Sequence, residues 1–413
     1  MRIVHLVHNY SPSEGGSQDL IRQLAEGMQR FEGDACVVMT SNSLFSPHDA
    51  RYTRIEPARE VVGGVEVQRF DFFRPSAVIF RHVTRVFRVF GREVPPTLTF
   101  LRNGPWSLSW IRALVRERPD VIVMSSAQYV HIMYPMIARW ISRARPPLVM
   151  FGSLHVDRGI SSLVLAVIRR LDAYVANTTY ERDTLIARGI DPAILHVQGP
   201  AIEIAPFEGV DAGRARAALG IGDEPVVAFV GRIAAWKGVD TLIRSMDAVW
   251  SHCPQARLLI AGGRTSFSPV IEQAIADLPD DRRSRVTLLL DFSSADKPDL
   301  FAASDVFVSA SSDESFGIVF LEAWASGRAV IAGRIGAVET VITDGVDGLL
   351  VTCGDEADLA SKIIFLLDHP EERARLAANG REKVARENAL PVVVRRLKQM
   401  YRDLGARRDA VGR

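Results

Sequence analysis

Between Glu314 and Glu322 the chain runs Ser-Phe-Gly-Ile-Val-Phe-Leu, seven residues without a charge. Ser311-Ser312-Asp313 ahead of it is turn and cap chemistry, residues 316–325 have helical composition, and Gly327 supplies a stop. A β-rich run, residues 305–309, leads into the loop. In parallel α/β sheets ligands bind beyond the carboxyl ends of strands, where helix N-termini offer N–H groups to anions. Glu322 sits between Leu321 and Ala323, so burial beside a partner suits it better than a solvated face. A carboxylate placed there accepts hydrogen bonds from sugar or ribose hydroxyls. A second group, Gly231-Arg232 and Lys237-Gly238, flanks the loop after the apolar run Val226–Val230. Arg as a fork and Lys as a point charge clamp a pyrophosphate and neutralise charge on a leaving nucleotide. Either cation alone reads as a solvated loop residue. The strand end, the helix N-terminus and the carboxylate of Glu322 together describe a nucleotide-sugar site.

Two carboxylates near a sugar also suit the acid/base pair of a glycosidase. If 314–322 were one helix, eight residues would span about 12 Å of rise. A retaining glycosidase holds its carboxyls about 5–5.5 Å apart and an inverting one up to about 9.5 Å, so the spacing speaks against hydrolysis.

These groups need elements to hold them. An apolar run opens the chain at residues 2–7, a polar loop ends in Glu14-Gly15-Gly16, and Leu20, Ile21, Leu24 and Met28 follow at helical spacing. Strand, Gly turn, helix and a strand at 36–40 make a Rossmann-like opening and predict a parallel sheet. Further strands are expected at 65–69, 121–124, 148–151, 173–176 and 194–197. After a Gly/Pro-marked connection at 198–206 the pattern restarts, with strands at 226–230, 258–261, 286–290, 305–309 and 329–332. A last helix is expected over 391–404, after a break near Asn388. Gly15-Gly16 is either a plain turn or a place where missing side chains let a phosphate or sugar approach the backbone. His155, just past a strand end, reads on its own as structural. Asp172, Asp296 and Asp305 read as cap or surface residues.

Taken together the motifs resemble the donor-binding signature of the retaining GT-B glycosyltransferases, in particular glycosyltransferase family 4. The resemblance rests on the two glutamates seven residues apart, on Gly336 and Glu339 in the following Gly-rich loop, on Asp344 to Gly348 as D-G-x-x-G, and on Gly-Arg-x4-Lys-Gly. It can be followed, with gaps, from Met1 to about Leu404. It implies an α/β fold of two Rossmann-like doubly wound domains facing across a cleft, the C-terminal helix crossing back to the first. Residues 1–198 with 389–413 would bind the acceptor and 199–388 the nucleotide-sugar donor. The implied reaction is transfer from a UDP- or GDP-linked sugar with retention, by front-face displacement in which the leaving phosphate helps deprotonate the acceptor hydroxyl. Donor contacts are implied for Gly15, Gly16, Arg232, Lys237, Asp291, Phe292, Glu314, Phe316, Gly317, Ile318 and Glu322. Roles in catalysis are implied for His155, Glu314, Arg232 and Lys237, with His155 at the donor sugar near the reacting carbon. Two departures stand out: Gln198-Gly199-Pro200-Ala201-Ile202-Glu203 replaces a Pro-Asn-Gly-Val-Asp-like turn, and Asp291-Phe292 occupies a place where Gly is usual, beside the expected nucleobase pocket. The acceptor implied is a glycan or lipid-linked glycan of cell-surface polysaccharide or glycolipid synthesis. The rivals are another GT-B enzyme, such as a sugar-nucleotide epimerase or a phosphorylase, and a nucleotide-sugar-binding protein without turnover.

Bulk properties fit such an enzyme without identifying it. The 413 residues suffice for two domains with separate cores. Fifty Lys+Arg balance 49 Asp+Glu, so no global field points to nucleic acid. Cys36, Cys253 and Cys353 offer neither a disulfide framework nor metal-ligand spacing, which fits a reducing compartment. The sequence has no Asp-x-Asp of the kind that holds a divalent ion on a diphosphate, so neither metal nor cofactor is expected beyond the nucleotide sugar as co-substrate. The opening apolar run is too short for a signal peptide, and no stretch reaches 18 apolar residues, so a cytoplasmic protein is expected. Residues 79–92, IFRHVTRVFRVFGR, put Arg81, Arg85, Arg88 and Arg92 on one side of a helix and Ile79, Phe80, Val83, Val86, Phe87, Val89 and Phe90 on the other. Such a helix either packs its apolar face on the first domain or lies on an anionic membrane at its cytoplasmic face.

Overall fold

The computed structural model describes residues 1–13, 15–44, 53–73, 75–142 and 145–411; Glu14 lies outside them. The chain divides into two compact units, Met1–Ala201 with Leu390–Arg413, and Ile202–Ala389.

The first unit is built on strands β1 (Arg2–Leu6), β2 (Ala35–Ser41), β3 (Arg59–Val62), β4 (Val65–Phe70), β5 (Val121–Met124), β6 (Leu148–Phe151), β7 (Ala173–Ala176) and β8 (Leu195–Val197), in the order β3-β4-β2-β1-β5-β6-β7-β8. All neighbours are parallel except β3 and β4. Every residue of β5, β6 and β7 is buried, as expected of a parallel sheet covered on both faces. Residues 65–69 led to β4, but β3 was not foreseen. Gly63 and Gly64, at φ 58° and 84°, turn the chain back as a hairpin, the geometry that Gly-Gly between two apolar runs favours.

One face of this sheet is covered by the helix Gly16–Glu32 and by Leu390–Val411, the last helix, which extends beyond the expected 391–404. Leu390, Val393, Val394, Leu397 and Tyr401 join Leu20, Ile21, Leu24 and Met28 in one core. The helices approach closely at Gly27, where a Cβ would lie 2.9 Å from Val394 Cγ2. Buried Asp34 accepts from the N-terminal amine at 2.7 Å and from Lys398, so the C-terminal helix is tied to the first strand's entry. Helices Pro96–Asn103, Ser109–Glu117, Tyr134–Ile141 and Ser162–Ile168 contribute to the core on the other face.

The second unit is a six-stranded parallel sheet: β9 (Val226–Val230), β10 (Arg257–Gly262), β11 (Val286–Leu290), β12 (Val306–Ser309), β13 (Ala329–Gly333) and β14 (Leu349–Val351), ordered β11-β10-β9-β12-β13-β14. The three-residue β14 escaped the sequence reading because it is too short to carry periodicity. Asp305 accepts from Val226 N at 2.8 Å and from Arg216 at 2.7 Å. Asp296 closes a capping box with Ser293, and Asp172 accepts from Leu148 N at 2.8 Å. All three aspartates are structural.

Candidate active site

In the second sheet β9 is followed in sequence by β10 on one side, while β12 flanks it on the other. Loops leaving such a switch point diverge and open a crevice at the carboxyl edge. Lys237 stands on the loop after β9 and Glu314 on the loop after β12, and the two form an ion pair across that edge. The loops are also joined through their backbones, Ser312 N donating to Trp236 O at 2.8 Å. Gly238 makes the close approach possible. It sits at φ 68°, and a Cβ there would lie 2.5 Å from the Ala310 carbonyl oxygen, a backbone atom that cannot swing away.

Gly238 and Gly317, at φ 68° and 92°, are the N-caps of helices Val239–His252 and Ile318–Ala325, and neither helix has a side-chain cap. Their first-turn N–H groups are therefore available to an anion. The second helix starts at Ile318, two residues later than the sequence suggests, because Gly317 in the left-handed region sets its first turn. Glu314 thus lies in the loop rather than on the helix, and the helical-rise comparison with glycosidases does not apply to it. Each glutamate instead has its own lysine: Glu314 holds Lys237, and Glu322 Oε1 accepts from Lys297 Nζ at 2.8 Å. The other oxygen of buried Glu322, Oε2, has no hydrogen-bond partner among the described residues. A carboxylate oxygen in that state can accept from a hydroxyl.

Arg232 is exposed on the same loop as Lys237 and forms no ion pair among the described residues. Phe316 is buried in the core behind the loop, Ile318 is half-buried at the helix start, and Phe292 packs against the same core. Asp291, at φ 60°, ends the β11 edge and accepts from Arg264 N at 2.7 Å. The D-G-x-x-G stretch is a turn lock: Gly345 N donates to Gly348 O at 2.8 Å, and Asp344 accepts from Leu350 N at 2.9 Å and Arg334 at 2.6 Å. Partial burial pushes the Asp344 carboxyl up, but Leu350 N–H and Arg334 outweigh it and hold the group below its ordinary range. Gly336 opens the short helix Gly336–Glu339, and Glu339 pairs with Arg334 at 3.4 Å. Among the described residues no three His, Cys, Asp or Glu side chains converge as metal ligands do.

In the first unit the switch point is at β1 and β5. Gly15 caps the helix Gly16–Glu32, again without a side-chain cap. Sequence reasoning overlooked what lies beside it. His8, after β1, stacks on Tyr129, after β5, with centroids 3.7 Å apart and planes 9° from parallel. Trp110 and Tyr129 lie 5.7 and 6.2 Å from the His131 ring. His131 Nε2 is 3.0 Å from the Ser125 carbonyl, so Nε2 carries the proton and donates. Burial pushes His131 down to about 3, against the Ser125 bond, and pushes His5 down to about 4. Scattered single histidines carry no spacing signal, and only the fold brings 8 and 129–131 together.

His155 follows β6 and caps the 3-10 turn Val156–Arg158, half-buried. Its loop is pinned by Glu181, also overlooked because one glutamate on a short helix reads as solvated. Glu181 is buried and accepts from Leu154 N at 3.1 Å, Asn177 N at 2.8 Å and the Tyr174 hydroxyl at 2.6 Å. Burial raises its pKa, opposed by the Tyr174 and backbone donors.

The sequence model described as "Glycosyl transferases group 1" matches residues 211–383, and that described as "Glycosyl transferase 4-like domain" matches residues 15–201. The D-inositol 3-phosphate glycosyltransferase of Mycobacterium tuberculosis is 30% identical over 298 residues, which cover 66% of this chain and 61% of that protein. The chain therefore matches less than two thirds of that relative's length. Among solved structures, Anabaena HepE in complex with UDP-glucose is similar over 98% of this chain and 100% of its own, with a TM-score of 0.74 at 20% identity. Sucrose-phosphate synthase from Thermosynechococcus elongatus is similar over 98% and 99%, also with a TM-score of 0.74 at 20% identity. One family model matches each unit and the fold is shared along nearly the whole chain: the second unit is a domain of the glycosyl transferases group 1, the first a glycosyl transferase 4-like domain, and the fold is that of the GT-B glycosyltransferases.

Proposed function

We propose that the chain is a retaining hexosyltransferase that moves a sugar from a UDP- or GDP-linked donor to an acceptor hydroxyl of a glycan or lipid-linked glycan, in cell-surface polysaccharide or glycolipid synthesis. The observation that carries this reading is the set of groups at the second sheet's switch point. Exposed Arg232, Lys237 held by Glu314, and two helix N-termini without side-chain caps form an anion cradle. Beside them, Glu322 leaves one buried carboxylate oxygen open.

Arg232 and Lys237 bind the donor pyrophosphate and stabilise the charge that grows on it as the sugar leaves. Glu322 Oε2 accepts from a ribose or sugar hydroxyl, Glu314 positions Lys237, and Gly15 and Gly16 leave room for the donor beside their helix N-terminus. His155 donates to the donor sugar near the reacting carbon. The bond from the anomeric carbon to the diphosphate breaks as the acceptor oxygen bonds on the same face, and the acceptor proton passes to the departing phosphate oxygen. With fixed cations and amides in that role, the reaction proceeds without a metal, in the cytoplasm, on a chain seated peripherally at the membrane's inner face.

A panel of nucleoside diphosphate sugars tests the donor. One of them is expected to raise the melting temperature, since a ligand at 100 times its Kd stabilises by about 2.7 kcal/mol, and transfer with that donor should survive EDTA. No shift with any UDP- or GDP-sugar, or activity lost in EDTA and restored by Mg²⁺, would contradict the reading.

A further inference from the structure

The helix Pro75–Val89 does not bury the face that its composition offers to a core. At helical spacing three rows follow one another around it. Phe80, Thr84 and Phe87 form the inward row, with Thr84 fully buried, and the helix packs on Pro96–Asn103. Ile79, Val83, Val86 and Phe90, at i, i+4, i+7 and i+11, form a second row that faces outward. Phe90 is 74% exposed, and Val89 beside it 73%. Arg85 and Arg88 make up the third row; the helix ends at Val89, short of the expected residue 92, and Arg92 follows Gly91, at φ 63°, beyond its end. All three arginines are exposed and without an ion pair among the described residues; the side chain of Arg81 lies outside them.

The helix layer to which Pro96–Asn103 belongs carries a further exposed aromatic group. Phe73 N donates to Trp106 O at 2.7 Å, and the Tyr134 hydroxyl donates to Pro105 O at 2.6 Å. The helix Tyr134–Ile141 then presents Trp140, 84% exposed. Charge is concentrated in the same stretch. Residues 72–156 hold twelve arginines against three acidic residues, Glu93, Glu117 and Asp120, while the whole chain has a net charge of only +1. Contiguous exposed apolar groups mark an interaction surface, and arginines on the opposite flank of the same helix select a partner that is apolar within and anionic at its surface.

We infer that this helix layer of the first unit docks on an anionic lipid bilayer. The Ile79–Phe90 row enters the headgroup boundary, the arginines neutralise lipid phosphates, and Trp140 acts as an interfacial aromatic anchor. No described helix is long and apolar enough to cross the membrane, so the attachment is peripheral and reversible. This gives the membrane seat of the proposed function a defined face, but it does not depend on which donor is used.

Vesicle co-sedimentation of the full chain tests it, with vesicles of neutral phosphatidylcholine alone or with about one third phosphatidylglycerol. Binding is expected only with the anionic lipid, falling at least tenfold between 50 and 500 mM salt as exposed charges are screened. Three variants are compared: V86E/F90E, R85Q/R88Q/R92Q and W140A. The first two should each lose at least tenfold in binding, and the third a smaller amount. Because all these residues are exposed, the donor-induced melting shift should be unchanged, and that measurement separates loss of docking from loss of the donor site. Equal binding to neutral vesicles, binding to neither, or a wild-type dimer that V86E/F90E dissociates would overturn the proposal.

Discussion

Replacing Arg232 or Lys237 by Ala is expected to lower transfer about 10²–10³-fold, the cost of removing one preorganised group aimed at developing charge. The two losses differ in origin. Arg232 is exposed and unpaired among the described residues, so Arg232→Ala should leave the melting temperature unchanged while donor binding and turnover fall. Arg232→Lys keeps the charge but not the two-pronged fork, and should recover only part of the activity. Lys237→Ala also strands Glu314, turning a paired carboxylate into a negative charge beside the pyrophosphate, and should be the more damaging of the two. Glu322→Ala removes a buried acceptor. At about 1.5–3 kcal/mol for a charge-assisted hydrogen bond, donor affinity should weaken about 10- to 150-fold. Calorimetric donor affinities close to wild type in all three variants would remove the site from the switch point of the second sheet.

Acid is expected to unfold the first unit well before the second. His5 and His131 are held neutral, pushed by burial to about 4 and about 3, while their unfolded value is about 6.5. With the folded value depressed, the unfolded chain binds protons first. The stability they contribute is therefore complete above about pH 6.5 and is lost as pH falls from there toward the folded values. At pH 5 each histidine costs about 2 kcal/mol, or about 4 kcal/mol together. Denaturant titrations at pH 7 and pH 5 read this directly, and His5→Leu should abolish about half of the loss. His5 is the cleaner probe, since neither ring nitrogen has a partner among the described residues. An unchanged pH dependence in that variant would show that other groups control acid unfolding.

Much of the proposed donor site was legible in the sequence because its residues lie in local motifs. Gly-Arg-x4-Lys-Gly and the two glutamates are short motifs beside strongly apolar strands, and a strand followed by a polar loop and helix has one common outcome in a parallel sheet. What escaped depends on distance along the chain. That Glu314 meets Lys237 follows from β12 lying beside β9, an order no local pattern states. Lys297 became the partner of Glu322 only through folding, 25 residues away. His8 and Tyr129 stack because β1 and β5 are neighbours, and Glu181 reaches the loop before His155 because β6 and β7 are. The helix boundary moved from 316 to 318 for a reason also local, the left-handed Gly317. The helix at 75–89 illustrates the limit of periodicity. Its apolar and basic rows were visible, but whether the apolar row meets a core or solvent is decided by the neighbouring helix.

The stereochemistry of the first-formed product separates a retaining transferase from an inverting one and from an enzyme that transfers no sugar. With the nucleoside diphosphate sugar that raises the melting temperature and an acceptor hydroxyl that supports turnover, the anomeric proton and its coupling can be followed by NMR as the product appears. Transfer of the sugar to the acceptor with the donor's anomeric configuration kept is expected, with loss of that signal in Arg232→Ala. A product of inverted configuration, or consumption of the nucleotide sugar with no glycosylated acceptor, would contradict it.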